Sequence, residues 1–114
     1  MMLANKQYTN GDIVSFKLST SEEIIARIVE DTMVDFKITK PVALVPTPNG
    51  SLGMVPALFS VELNTSSISL QKNSVVMHAA TRKDVADEYI KGTTGIKPAS
   101  SLIGVGNAKG SPQG

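Results

Sequence analysis

Apolar and polar residues alternate through the first third of this chain with the period of two that is typical of half-buried β-strands. Three such runs follow one another, and their alternating apolar members are Val14, Phe16 and Leu18, then Ile24, Ala26 and Ile28, and then Val34, Phe36 and Ile38. Short polar segments separate the runs, with no helical pattern between them. The alternation therefore predicts consecutive strands of a small all-β barrel or sandwich.

Proline and glycine divide the middle of the chain. Pro41 interrupts the third run and, because proline cannot donate a backbone hydrogen bond, predicts an edge position, a bulge or a strong bend. Asn49-Gly50 predicts a hairpin turn, with a flexible loop tip as the alternative. The apolar stretch 52–63 predicts a further long strand, and residues 68–77 complete the β part. The interruptions favour a strongly bent small barrel.

One short helix is predicted after the barrel. Thr81 is suited to the N-cap position, since Asp84 follows three residues later. The next apolar residues have helical spacing and are Val85, Ala86, Tyr89 and Ile90. Gly92 is placed to end the helix.

The length of 114 residues indicates a single small domain. We assign residues 1–91 to the barrel with its C-terminal helix and 92–114 to a flexible tail containing glycine, serine and proline, in which 96–105 could dock on a neighbouring molecule. Aromatic residues make up only 4% of the chain, so aliphatic side chains must form the core. Such a small domain gains from burying surface against identical copies, which favours an oligomer.

The inventory of chemical groups argues against an enzyme. The chain has no cysteine, which excludes a disulfide framework and a zinc–thiolate site. Its one histidine, His78, lies in an apolar run and is interpreted as structural. We find no metal-ligand spacing, phosphate loop or dinucleotide motif, and so we expect no cofactor, no metal and no small-molecule substrate. Without a signal peptide or an apolar membrane span, the expected location is the cytoplasm.

Charge limits any nucleic-acid role to a local site. The net charge is +1, with six basic against seven acidic residues in 1–80 and five against three in 81–114. A dedicated duplex-binding domain usually has a much more basic face. Any nucleic-acid site must therefore be small, or must gain charge by repetition in an oligomer.

Two short polar corners between apolar runs, residues 31–36 and 70–76, could line one rim. Asp31-Thr-Met-Val34-Asp35-Phe36 resembles the first signature of Sm-like (LSm) proteins, and Leu70-Gln71-Lys72-Asn73-Ser74-Val75-Val76 resembles the second. Strand order and spacing agree over about residues 12–80. The whole chain is similar to the Sm-like proteins of marine bacteriophages, including the helix that begins with Arg82-Lys-Asp-Val.

The resemblance implies a five-stranded, strongly bent open barrel of the SH3-like type, whose copies join edge to edge into a cyclic homo-oligomer of about five to seven subunits. An open barrel leaves two strand edges that such neighbours satisfy. It also implies that the two corners face a pore and bind RNA bases. The positions carried over as nucleic-acid-binding are Asp31, Asp35, Phe36, Gln71, Lys72 and Asn73.

Three of these positions depart from the family pattern. Asp35 stands where asparagine is usual, Gln71 where arginine is usual, and Lys72 where glycine is usual. Lys72 and Asn73, repeated around a ring, are then the expected contacts to phosphate or base, with steep salt dependence. We expect Lys72→Glu to abolish oligonucleotide binding while leaving the ring intact. The alternatives are that Asn73 serves only a turn and that Asp35 is a solvent-facing strand residue, while Phe36 packs inward.

The favoured hypothesis is a non-catalytic ring that binds single-stranded nucleic acid, RNA before DNA. The alternative is a structural or adaptor ring of phage origin that acts through protein contacts, with the tail as its binding arm. A monomeric SH3-like peptide-binding module is disfavoured because such grooves need rows of aromatic residues, and Tyr8 and Tyr89 lie outside the barrel segment.

Overall fold

The structure is a computed structural model that describes residues 7–62 and 67–94. Within them, six strands form one antiparallel sheet that does not close on itself, and one helix follows. The elements are β1 Ile13–Leu18, β2 Glu23–Asp31, β3 Asp35–Pro46, β4 Leu52–Pro56, β5 Ile68–Gln71, a 3-10 turn Lys72–Ser74, β6 Val75–Ala80 and α1 Lys83–Thr94. The predicted small, open all-β fold with a short C-terminal helix is confirmed.

The long strand β3 organises the sheet. The strand order is β4-β3-β2-β1-β6, and β5 pairs with the first part of β3 while β4 pairs with its second part. Between these parts the register against β2 shifts, and Lys40 takes a positive φ of 54° beside Pro41. Of the three alternatives predicted at Pro41, the bulge is confirmed, and it lies where β3 changes from one partner to the other.

The hairpin predicted at Asn49-Gly50 is confirmed. Thr47 N–H donates to the carbonyl of Ser51 at 2.8 Å, and Gly50 has a φ of 88°, in the region that favours glycine. The strand predicted over 52–63 is too long, since β4 ends at the buried Pro56. Two short strands, β4 and β5, therefore lie along β3, and the described residues contain six strands rather than five.

The core has one layer on each face of the sheet. Inside the bend, the alternating positions of the first three strands form the main cluster, which consists of Val14, Phe16, Ile24, Ala26, Ile28, Phe36 and Ile38. On the outer face, Ile25, Val42 and Tyr89 form a second buried cluster beneath α1. Strand β2 is thus covered on both faces, by the barrel interior and by the helix.

The helix boundaries differ from the prediction at both ends. Thr81 is not its N-cap, because the helix begins two residues later and the Thr81 hydroxyl is hydrogen-bonded to that of Ser15 on β1, at 2.8 Å. The helix begins at Lys83, and it runs two residues past Gly92 to Thr94. Among the described residues no helix is long and apolar enough to cross a bilayer. The predicted tail beyond Thr94 lies outside the described residues.

Candidate nucleic-acid interface

Two polar corners that are distant in sequence lie side by side at one end of the sheet. One is the β2–β3 corner, residues 31–36, and the other is the turn between β5 and β6, residues 71–74. The N–H of Lys72 donates to the carbonyl of Val34 at 3.0 Å, so the turn extends the pairing of β3 with β5. The prediction that both corners line one rim is confirmed, and we call these two segments together the rim.

Asp31 is buried in the rim and joins three parts of the chain. Its Oδ1 lies 2.6 Å from Nζ of Lys72, and its Oδ2 accepts hydrogen bonds from the backbone N–H groups of Gln7 and Tyr8 at 2.8 and 3.2 Å. Burial would raise the pKa of Asp31, but the Lys72 ammonium and the two N–H donors outweigh it and hold this pKa below its ordinary value. Asp31 is therefore an ionised, buried carboxylate that connects β2 to the turn after β5 and to residues 7–8.

Lys72 points into the protein from the rim. Besides its ion pair with Asp31, its Nζ lies 4.7 Å from the centroid of the Phe36 ring, within cation–π range. The side chain of Lys72 is 23% exposed to solvent. A phosphate at this position would therefore have to compete with a buried carboxylate for the same ammonium.

Asp35 organises the β2–β3 corner. The hydroxyls of Ser69 and Thr32 and the ammonium of Lys37, at 3.1 Å, all donate to its carboxylate. These hydrogen bonds lower the pKa of Asp35 to about 2. Asp35 is only 4% exposed, so its interpretation as a solvent-facing strand residue is wrong. Its carboxylate holds the corner to β5 through Ser69.

Phe36 packs inward, as predicted, and is 1% exposed. Its ring lies 5.0 Å from that of Phe16, 5.3 Å from His78 and 6.0 Å from Tyr8, measured between centroids. The Tyr8 hydroxyl and Nδ1 of His78 lie 2.7 Å apart in a hydrogen bond. This cluster supports the rim from below, and it leaves no face of Phe36 for stacking on a base.

The outward surface of the rim is formed by amides and aliphatic groups. Gln71 and Asn73 are exposed, as are Met33 and Val34, at 76% and 69%. Met33 lies in the predicted polar corner, although no surface role was predicted for it, and the prediction that Val34 lies on the apolar face of a strand is wrong. The signal was present, because two apolar residues stand between the polar Thr32 and Asp35 in a segment too short for a strand.

The charged residues of the rim are held in close pairs, one of them with Lys37, which adjoins the rim. Asp31 is paired with Lys72 and Asp35 with Lys37, so the four charges sum to zero. Such a surface attracts a phosphate chain only weakly. It can instead offer hydrogen bonds from Gln71 and Asn73 to base edges, and apolar contact from Met33 and Val34 to base faces.

Two strand edges adjoin the rim. Among the described residues, β6 pairs with one strand, β1, and β5 also pairs with one strand, β3. The other edge of each strand has no paired strand in the described residues. Because Thr81 N–H bonds to Ile13 on β1, alternation along β6 directs the backbone groups of Ala80 and His78 away from β1. By the same argument from Lys72 and Val34, the backbone groups of Ser69 on β5 point away from β3.

No protein-family model matches this chain, and no curated protein matches it.

Proposed function

We propose that this chain is a non-catalytic, Sm-like ring subunit that binds single-stranded nucleic acid, with RNA as the preferred ligand. The observation that supports it is the junction of the two signature-like corners, through the bond from Lys72 N–H to the Val34 carbonyl and the ion pair of Lys72 with Asp31. Lys72 and Val34, 38 positions apart in the sequence, thereby bring the two corners into one surface, as a shared binding site requires. The proposed location is the cytoplasm, that of a host cell if the chain is phage-encoded.

Assembly follows from the two strand edges. In the proposed ring, the outward backbone groups of β5 in one copy bond to those of β6 in the next, which satisfies both edges of the open sheet. The rim adjoins both edges, since it contains the turn that connects β5 to β6. Each interface therefore brings a rim from one copy next to a rim from its neighbour, and the ring encircles a shared opening.

Recognition at this opening relies on bases more than on phosphates. Gln71 and Asn73 supply amide donors and acceptors for base edges, and Met33 and Val34 supply apolar contact for base faces. Because Lys72 in the rim and Lys37 beside it are already paired with carboxylates, few counterions are released on binding. The steep salt dependence expected from the sequence is accordingly replaced by a shallow one.

The test is fluorescence anisotropy with labelled oligo-U, oligo-A and oligo-dT at two salt concentrations, on protein whose mass is known from light scattering. Asn73→Ala is expected to weaken oligo-U binding about tenfold, the loss of roughly 1.4 kcal/mol of hydrogen bonding. The matched control is Asn49→Ala, an exposed amide in the β3–β4 hairpin, which is expected to bind as the parent does. Equal affinities of the two variants would contradict the proposed site.

The second candidate is a ring that serves as an adaptor for a protein partner. It is favoured by the exposure of Met33 and Val34 on a rim whose charged residues are held in pairs, a combination typical of protein contact surfaces. A ring by mass that binds none of the three oligonucleotides would support this candidate. A monomer by mass would contradict both candidates and support a single-copy binding module.

A further inference from the structure

A groove runs between α1 and the β3–β4 hairpin, on the outer face of the sheet and away from the rim. Its volume is about 700 Å³, and its lining residues are Leu44, Leu52, Met54, Asp84, Val85, Glu88 and Gly92. The floor and the hairpin side are aliphatic, while the helix side carries two carboxylates. A cavity of about 150 Å³ holds a benzene-sized group, so this groove has room for several aliphatic side chains.

We infer that this groove binds the segment 96–105 of the same chain. This segment contains Ile96, Leu102, Ile103 and Val105, and it follows directly on the helix that forms one wall of the groove. The inference concerns a different face from the rim and does not depend on the proposed function.

The described chain ends at the entrance of the groove. Helix α1 stops at Thr94, two residues after Gly92, which lines the groove. The next residue is Gly95, a position after a helix where glycine commonly lets the chain reverse. To reach the far end beside Asp84, the returning chain must cover ten helical residues, about 15 Å. The seven residues 95–101 span up to roughly 23 Å, which places Leu102 and Ile103 within reach of the whole groove.

The charges of the groove and of the segment are complementary. Asp84 and Glu88 lie one helical turn apart on the groove wall, whereas residues 95–114 contain Lys97 and Lys109 and no acid. The pairs of these two carboxylates with Arg82 and Lys91 are largely exposed, and such pairs are weak and screened. A basic, aliphatic segment therefore fits this wall better than an acidic one would.

Docking would bury apolar surface that the helix leaves uncovered. Leu52 is 66% exposed at the hairpin side of the groove, and Leu44, Met54 and Val85 are half-buried. Covalent connection raises the effective concentration of the segment at its own groove to the millimolar range, so even a weak contact is populated. The same groove would be a poor site for a free peptide of this sequence.

Methyl NMR on the full chain tests the inference. With labelled Ile, Leu, Val and Met methyls, we expect nuclear Overhauser contacts from Leu102 and Ile103 to Leu44, Met54 and Val85. The double variant Leu102→Ser/Ile103→Ser should abolish these contacts and shift the groove methyl signals. The matched control Ser100→Ala/Ser101→Ala, in the same segment, should leave both unchanged. Absence of the contacts in the parent chain, with unshifted groove signals in the serine variant, would overturn the inference.

Two further experiments test whether the segment comes from the same chain or from a neighbouring copy, and whether the carboxylates of the groove contribute to binding. In a sample that mixes labelled and unlabelled copies, isotope-filtered contacts between copies would overturn docking within one chain and assign the groove to a neighbouring copy. Asp84→Asn/Glu88→Gln should weaken the contacts in low salt. The control Asp87→Asn removes a carboxylate of the same helix that does not line the groove, and it should leave them intact.

Discussion

The ammonium of Lys72 lies 2.6 Å from a carboxylate oxygen of Asp31, whose side chain is only 1% exposed. This ion pair joins the turn after β5 to the end of β2, and the second oxygen of the carboxylate holds the chain at Gln7 and Tyr8. The lysine expected to be a ligand contact is therefore also a structural cation. Stability and binding must be measured separately for any substitution at this position.

Lys72→Met is expected to lower the free energy of unfolding by about 2–3 kcal/mol. Removing one partner of a fully buried pair costs roughly 3–5 kcal/mol, and the loss is smaller here because Asp31 keeps two backbone donors. Urea unfolding followed by circular dichroism measures the change. The control is Lys37→Met, whose lysine is 42% exposed and pairs with Asp35, so that water replaces much of the interaction and the midpoint should move less.

Lys72→Glu is expected to destabilise the fold more than Lys72→Met, since it places a second carboxylate beside Asp31. The sequence-based expectation that Lys72→Glu would leave assembly intact is revised for this reason. If both variants unfolded at the parent's urea concentration, the ion pair would contribute nothing to the folded state.

Acid is expected to destabilise the protein between about pH 5 and pH 2. The pKa of Asp35 is lowered to about 2 by hydrogen bonds from Ser69, Thr32 and Lys37, against about 3.9 in an unfolded chain. The unfolded state therefore binds more protons as the pH falls through this window, and the stability present above it is lost. Asp31 acts in the same direction, because its pKa is also lowered.

The measurement is the urea midpoint at a series of pH values for the parent and for Asp35→Asn. The variant should be less stable at pH 7 and should lose stability less steeply towards pH 2. A parent whose midpoint stays constant over this range would contradict the lowered pKa values.

Tyr89→Phe is expected to cost about 1–2 kcal/mol although it removes a single oxygen atom. The hydroxyl of Tyr89 donates to the carbonyl of Lys40 at 2.7 Å, beneath the helix, and without it this carbonyl loses a partner in a buried place. Burial raises the pKa of Tyr89 to about 12. Urea unfolding checks the stability, and an absorbance titration should show one tyrosine fewer ionising near pH 12 in the variant.

The matched substitution is Tyr8→Phe, at the half-buried tyrosine that bonds to His78. Its cost should be smaller, about 0.5–1 kcal/mol, since water reaches this pair more easily. The reverse order of the two costs would show that α1 contributes less to the fold than its buried contact indicates.

Ala80→Pro is expected to abolish the proposed ring while preserving the subunit. The N–H of Ala80 points away from β1, so proline there removes a donor only from the outer edge of β6. Light scattering should then report a monomer with a folded circular dichroism spectrum. Ala79→Pro is the contrast, because its N–H faces β1 and its loss should unfold the sheet. An assembly of unchanged mass in Ala80→Pro would exclude β6 as the joining edge.

The elements of the fold were predictable wherever a local rule applied. Alternation placed β1, β2 and β3, Asn49-Gly50 placed the hairpin, and Pro41 indicated the bulge as one of its alternatives. The errors fall where a residue serves a distant partner. Thr81 satisfies the local rule for an N-cap, but its hydroxyl is hydrogen-bonded to that of Ser15 on β1, sixty-six positions earlier, instead of capping the helix.

The position of the candidate site was predictable from the sequence, but its ion pairs and the orientation of its side chains were not. The sequence indicated that the two corners share one rim, but nothing in it indicated that Lys72 would turn inward to Asp31. Which of several charged neighbours pair with each other depends on distances across strands, and spacing along the chain does not contain these distances.

By itself, the sequence determined a small, sharply bent, aliphatic β-sheet with a following helix, because alternation, turn residues and the absence of cysteine act through rules of short range. Only the tertiary structure decided which side chains of the rim face solvent. That choice arises from burying Asp31 and Asp35 among donors supplied by β5, the turn after it and residues 7–8. A buried carboxylate must find such partners wherever they lie, and folding alone brings them together.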